Sequence, residues 1–92
     1  MEITRAVIRV YGRVQGVGFR YYTFIHARRL GVRGYVKNLS DGSVVIVAEG
    51  LEDRIRELVR MVRRGPLLAR VDRVQVVYGK PRMEYSGFFV LR

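Results

Sequence analysis

A glycine-rich segment, residues 12–20, separates a stretch of alternating apolar residues from a stretch with helical spacing. Gly16 and Gly18 can adopt positive φ without steric cost, so successive backbone N–H groups can turn toward one point. The helix that follows adds the positive end of its dipole. Arg20, in the first helical turn, can bind the same point with its forked guanidinium. This glycine loop therefore predicts an anion site between a strand and a helix.

A plainer interpretation of the glycine loop is a tight connection whose glycines serve packing and whose arginine is solvated, because short glycine patterns often match by chance. The spacing differs from GxGxxG with a distant acid, and it also differs from GxxxxGK[ST]. It therefore indicates neither a dinucleotide site nor a nucleoside-triphosphate loop. The loop suits a single small phosphoryl group.

Apolar periodicity along the chain predicts an α+β fold. The predicted strands are residues 6–11, 34–38, 43–49, 71–78 and 88–91, and the predicted helices are residues 19–30 and 51–64. The order βαββαβ, with one extra short C-terminal strand, is typical of a ferredoxin-like sandwich. We therefore expect a mainly antiparallel sheet with both helices on one face. A chain of 92 residues suits a single domain, residues 1–92.

Topology predicts where the glycine loop lies relative to Asn38, at the end of the second predicted strand. Strands joined by a crossover helix run parallel, so the loop after Tyr11 and the end of the second strand emerge at the same edge of the sheet. Ligands of open sheets are usually held beyond the carboxyl ends of such strands. We therefore expect the glycine loop and Asn38 to face each other.

Two segments of the chain resemble the signatures of the acylphosphatase family. Residues 12–20 are similar to the first signature and residues 34–44 to the second, with weaker similarity at residues 65–66, 69–72 and 87–92. The resemblance implies hydrolysis of acyl phosphates to a carboxylate and inorganic phosphate, with no metal and no other cofactor. It assigns phosphate binding to Arg20 and water binding to Asn38, the two implied catalytic residues. The implied phosphate loop consists of Gln15, Gly16, Val17, Gly18, Phe19 and Arg20.

The chemistry of an acyl phosphate agrees with this small set of residues. Its leaving group is a carboxylate, whose conjugate acid has a pKa of about 4, so it can depart unprotonated. The loose transition state then needs charge stabilisation and an aligned water. Loop N–H groups and Arg20 suit the first need, and the amide of Asn38 suits the second. Because asparagine is a very poor base, the resemblance implies that the proton of the water passes to the substrate.

Other side chains near these residues are expected to have structural roles. His26 lies about two turns beyond Arg20 on the predicted helix, and a lone helical histidine is more often structural or exposed than catalytic. The side chains of Gln15 and Lys37 are expected to point away from the site. Three tyrosines could line an acyl pocket, although packing explains them equally well. They are Tyr11, Tyr21 and Tyr22. The acidic residues form no cluster of the kind that holds magnesium.

A formal net charge of +10, carried almost wholly by arginine, suits an anionic partner. A small acyl phosphate is one such partner, and the alternative is a small basic ferredoxin-like nucleic-acid-binding module. RNA-recognition domains carry stacking aromatics on their central strand, whereas residues 43–49 contain none. We therefore expect no specific nucleic-acid partner. A third interpretation is an acylphosphatase-like domain that serves a larger assembly.

Composition also suggests where the protein works. The chain has no cysteine and no long apolar run, so we expect a cytoplasmic protein without a membrane segment. Asn38 is the only asparagine, and Gln15 and Gln75 are the only glutamines. Depletion of thermolabile amides beside many charged residues is typical of thermophilic proteins. Retention of an amide at Asn38 then indicates a role that other polar side chains cannot fill.

Overall fold

The structure, a computed structural model that describes residues 2–92, contains a five-stranded mixed sheet and two helices. The elements are β1 (Ile3–Arg13), α1 (Phe19–Leu30), β2 (Arg33–Asn38), β3 (Val44–Leu51), α2 (Glu52–Arg64), β4 (Arg70–Gly79) and β5 (Phe88–Leu91). The strand order is β4-β1-β3-β2-β5, in which β2 and β5 pair parallel and all other neighbours pair antiparallel. The predicted ferredoxin-like fold with an extra C-terminal strand is confirmed. No described helix is long and apolar enough to cross a membrane.

Both helices pack on one face of the sheet, as the sequence predicts. Alternate residues of β1 and β3 are fully buried on this face: Ala6, Ile8, Val10, Val44, Ile46 and Ala48. The helices complete the core with Phe19 and Ala27 from α1 and with Ile55, Leu58 and Val62 from α2. Each fully buried large apolar side chain contributes about 1.5–3 kcal/mol to folding. The core therefore fixes the position of α1, which begins at Phe19, within the glycine loop.

Glycines at its two ends account for the agreement between the predicted and observed bounds of α1. Gly18 and Gly31 both adopt left-handed backbone conformations, and the N–H of Gly31 bonds to carbonyls of the last turn. The start of α2 differs from the prediction, which placed Leu51 in the helix. Leu51 is instead the last residue of β3, with extended φ and ψ, because it pairs with Ile3 of β1. Tertiary pairing here overrides the helical spacing of its side chain.

Residues 80–87, here called the strap, cross the helix-free face of the sheet from β4 at one edge to β5 at the other. The strap is attached at Glu49 of β3, whose carboxylate accepts hydrogen bonds from the N–H groups of Arg82 and Met83 at 2.7 and 3.0 Å. Arg5 of β1 donates to the same carboxylate at 2.9 Å. The buried carboxylate thus ties three segments together and sets the path by which the chain reaches β5.

Candidate active site

The glycine loop and the end of β2 meet at one edge of the sheet. β1 and β2 each pair antiparallel with β3, so they run parallel to each other on either side of it. Asn38 pairs with Val44, which in turn pairs with Val10, and this row belongs to the helix-covered face. A cavity of about 290 Å³, here called the loop pocket, opens at this edge. Its lining residues are Val14, Gly16, Gly18, Phe19, Arg20, Tyr21, Asn38, Val90, Leu91 and Arg92.

The backbone of the glycine loop is held at both ends by buried side chains. Val14 and Phe19 are each 1% exposed, whereas Gly16 and Gly18 are exposed between them. These two glycines have φ values of 74° and 78°, and a Cβ on either would meet no atom within 4 Å. Glycine is therefore needed for its left-handed backbone and not for space. Val17, between them, packs its side chain against the core and is not among the residues that line the loop pocket.

The N-terminus of α1 is open. Gly18 is its N-cap, no side chain caps the first turn, and that turn contains no acidic residue. The first N–H groups of any α-helix lack intrahelical carbonyl partners, and they carry the positive end of the helix dipole. An anion in the loop pocket would therefore meet unpaired donors from the loop and the helix together.

Arg20 is anchored by the far end of the chain. Its Nη1 donates to the carbonyl oxygen of Leu91 in β5 at 2.9 Å, across 71 residues of sequence. A guanidinium has five N–H donors, so this bond orients the group and leaves other donors for a ligand. The sequence did not predict this contact, because nothing in the local pattern indicates where β5 pairs.

Asn38 carries the one buried polar side-chain atom without a hydrogen-bond partner in the described part of the chain. This atom is Oδ1, in a residue that lines the loop pocket. Leaving a buried acceptor without a partner costs about 1–3 kcal/mol, so most buried polar atoms are paired. The described part of the protein therefore leaves the acceptor capacity of this side chain unused.

Gln15 does not line the loop pocket. Its Nε2 donates to the carbonyls of Leu39 and Ser43, at 2.7 and 2.9 Å, in the turn that joins β2 to β3. The expectation that this side chain points away from the pocket is therefore right, but its specific contact with the turn was missed. The sequence did contain one signal for this contact, because Gln15 is one of only three residues with an amide side chain in the chain. Lys37 is exposed, on the face of β2 opposite Asn38.

The turn after Asn38 is held in place by Asp41. Its carboxylate accepts hydrogen bonds from the hydroxyl and the N–H of Ser43 at 2.5 and 2.9 Å, and from Arg9 at 2.5 Å. The bonds from Ser43, followed by the bond and charge of Arg9, lower the pKa of Asp41 to about 2. Asp41 therefore has a structural role in the turn, as the sequence predicts.

One of the three tyrosines considered for an acyl pocket lines the loop pocket, and it is Tyr21. The other two tyrosines have partners elsewhere. Tyr22 donates its hydroxyl hydrogen to the carbonyl of Met61 in α2, and the hydroxyl of Tyr11 donates to the side chain of Gln75 on the edge strand β4.

His26 lies outside the loop pocket. Its ring packs against the ring of Tyr22, with 4.5 Å between the two ring centroids. Burial and the nearby Arg29 lower the pKa of His26. Among residues 2–92, no group of three or more acidic or histidine side chains could hold a metal ion.

Fold and pocket together define the class: a ferredoxin-like domain in which a glycine loop, an arginine and an asparagine line one cavity. The Acylphosphatase family model matches residues 6–90, and the chain belongs to the acylphosphatase family. It is 51% identical to an acylphosphatase of Thermococcus kodakarensis over 91 residues, 99% of each chain. An acylphosphatase of Salinibacter ruber is 48% identical over 88 residues, 96% of this chain and 93% of that one. The crystal structure of acylphosphatase from Bacillus subtilis matches with a TM-score of 0.93 at 35% identity, over 97% of this chain and 99% of that chain.

Proposed function

We propose that the protein is an acylphosphatase that hydrolyses the carboxyl–phosphate bond of small acyl phosphates without a metal ion. The observation that carries the proposal is one cavity lined by the open N-terminus of α1, by Arg20 and by Asn38, whose buried amide oxygen has no partner within the described part of the protein. Donors for a phosphoryl group and the amide side chain that would guide a water therefore lie around the same space.

The phosphate loop, residues 15–20, binds the phosphoryl group in this proposal. Backbone N–H groups around Gly16 and Gly18, those of the first turn of α1, and the guanidinium of Arg20 surround its oxygens. These donors are fixed before the substrate arrives, so they stabilise the charge of the loose transition state without reorganisation. The bond from Arg20 to the Leu91 carbonyl keeps the guanidinium oriented toward the pocket.

Asn38 places the attacking water. Its Oδ1 accepts a hydrogen bond from the water, and its amide NH₂ donates to a phosphoryl oxygen. The carboxylate leaves unprotonated, so no general acid is needed, and the substrate itself takes the proton of the water. His26 has no part in this chemistry, since it lies outside the loop pocket.

A nucleic-acid-binding module is the less favoured function. The helix-free face of β3 carries Val45, Val47 and Glu49, and the last of these is engaged by the strap. A central strand without aromatic side chains offers no stacking platform for bases. We propose that no specific nucleic acid binds.

We further propose that the enzyme works in the cytoplasm at high temperature. Small secreted domains usually rely on disulfides, whereas this chain has no cysteine. Surface ion pairs accompany the depletion of amides, among them Arg56 with Glu52 and Arg70 with Asp72. Such pairs contribute more to stability as temperature rises, because the cost of desolvating charges falls.

Hydrolysis of a synthetic acyl phosphate, with and without EDTA, tests the proposed function. A phosphate monoester, p-nitrophenyl phosphate, serves as the second substrate, and the Arg20→Ala variant shows whether a contaminating phosphatase is present. We expect rapid hydrolysis of the acyl phosphate by the parent in both buffers and little hydrolysis of the monoester. Loss of the acyl phosphate reaction in EDTA would contradict the proposal.

A further inference from the structure

The side chain of Gln15 joins the phosphate loop to the turn that follows Asn38. Both hydrogens of its amide nitrogen are used, one on the carbonyl of Leu39 and one on the carbonyl of Ser43. The donor is partly buried, so these bonds are shielded from competition with water. The turn and the loop are 24 and 28 residues apart at the two contacts, so no local backbone constraint sets their separation.

The two carbonyls that Gln15 contacts also close the turn itself. The N–H of Leu39 bonds to Ser43 oxygen at 2.8 Å, and the N–H of Gly42 bonds to Leu39 oxygen at 3.1 Å. On its other side the turn is held by Asp41 and Arg9 of the sheet. The turn is therefore rigid, and Gln15 couples this rigid unit to the loop.

We propose that Gln15 is a positioning residue that sets the separation between the phosphate loop and Asn38. Asn38 directly precedes Leu39, so a bond to the Leu39 carbonyl acts one residue from the amide that holds the water. The inference rests on the proposed function, in which the water must lie in line with the phosphorus. In-line attack is sensitive to placement, and a displacement of about 1 Å can cost roughly a hundredfold in rate.

The chemistry of the contact explains why this position needs an amide. Two carbonyl acceptors face one nitrogen, which requires an uncharged donor with two hydrogens at the end of a side chain of this length. Glutamate would place a carboxylate against two carbonyl oxygens, and methionine would fill the space without donating. Gln15→Met and Gln15→Glu are therefore matched variants that keep the shape and remove the donors.

Nuclear magnetic resonance of the side-chain amides tests the coupling without any activity measurement. The chain has only three such groups, on Gln15, Asn38 and Gln75, so the Asn38 signals can be assigned by substitution. We expect Gln15→Met to shift the Asn38 side-chain N–H signals and to lower their heteronuclear NOE. Gln75→Met is the matched control, because Gln75 is exposed on β4, and it should leave the Asn38 signals unchanged. Unchanged Asn38 signals in Gln15→Met would overturn the proposal.

A double-mutant cycle with Asn38→Ala tests the consequence for catalysis. We expect Gln15→Met to lower kcat about tenfold in the parent and by less than about twofold in the Asn38→Ala background. The Kd for inorganic phosphate should stay within about twofold of the parent, since the loop donors remain. An equal fall of kcat in both backgrounds, or a phosphate Kd weakened as much as kcat, would overturn the role assigned to Gln15. Absence of acyl phosphate hydrolysis by the parent would instead contradict the proposed function.

The Gln15→Glu variant adds a pH readout and replaces Gln15→Met if that variant does not fold. Two carbonyl oxygens and partial burial disfavour the charged carboxylate, so its pKa should be raised. Once protonated, the carboxyl donates one of the two lost bonds. The kcat ratio of variant to parent should therefore rise as the pH is lowered from 8 toward 5. A ratio that stays flat, with the variant folded throughout, would contradict the proposal.

Discussion

At the scale of single residues, Arg20 and Asn38 differ in when their contacts with the substrate matter. Arg20 binds the phosphoryl group in both the ground state and the transition state, so Arg20→Ala should raise KM and lower kcat together. Asn38 mainly places the water, so Asn38→Ala should lower kcat with little change in KM. Removing one aligned group of this kind costs about 3 kcal/mol, or roughly a hundredfold in rate. Steady-state kinetics on a synthetic acyl phosphate measures kcat and KM for each variant.

Asn38→Asp is the control for this pair of variants. It is nearly isosteric, but it cannot donate, and it places a negative charge beside the anion. It should therefore be at least as damaging as alanine. If Asn38→Ala hydrolyses acyl phosphate within a few-fold of the parent, Asn38 is a structural residue and the water has another guide.

At the scale of elements, the sequence predicts local structure well and long-range attachment poorly. The bounds of α1 follow from two glycines, and the row that places Asn38 on the helix-covered face follows from strand alternation. The attachment of the strap cannot be predicted in this way, because nothing in the sequence distinguishes Glu49 from the other scattered acidic residues. Its role depends on N–H groups more than 30 residues away, which no periodicity encodes.

The same limit explains what was missed at the candidate site. The glycine loop, Arg20 and Asn38 are visible in the sequence because they belong to short local patterns. The contacts that orient them are not, since Arg20 relies on Leu91 and Gln15 relies on the β2–β3 turn. Such contacts depend on which strands become neighbours, so they can be identified only once the sheet order is known.

The attachment of the strap predicts a pH dependence of stability. Burial alone would raise the pKa of Glu49, but hydrogen bonds from Arg82, Arg5 and Met83 hold it below its ordinary value. Because the folded pKa is the lower one, this stabilisation is present above the unfolded pKa of about 4.3 and is lost as the pH falls through the folded pKa. The free energy of unfolding, measured with urea, should therefore decrease below about pH 4.3, and more steeply in the parent than in Glu49→Gln.

Glu49→Ala should cost about 3 kcal/mol at neutral pH, because it leaves Arg5 and two N–H groups without their acceptor. Glu84→Ala is the matched control, since Glu84 is an exposed acid of the same strap. It should change the free energy of unfolding by less than about 0.5 kcal/mol. Equal effects of Glu49→Ala and Glu84→Ala would show that the strap is held by other contacts.

At the scale of the whole molecule, the net charge of +10 bears on anion binding in two ways. It attracts an anionic substrate from a distance, an effect that salt screens. It also means that any added anion relieves self-repulsion among the arginines, so stabilisation by phosphate is not by itself proof of a phosphate site. A useful test must separate specific binding in the loop pocket from this general effect.

Thermal unfolding in phosphate makes that separation. An anion that binds only the folded state at about 100 times its Kd adds roughly 2.7 kcal/mol of stability, which should raise Tm by about 10 °C or more in a domain of this size. Sodium chloride at matched ionic strength should give only the smaller, general rise. In Arg20→Ala, the phosphate and chloride curves should nearly coincide, because the variant keeps almost all of the net charge but loses the forked donor in the pocket. If phosphate protects Arg20→Ala as strongly as the parent, the anion binds elsewhere on the basic surface, and the loop pocket is not the phosphate site.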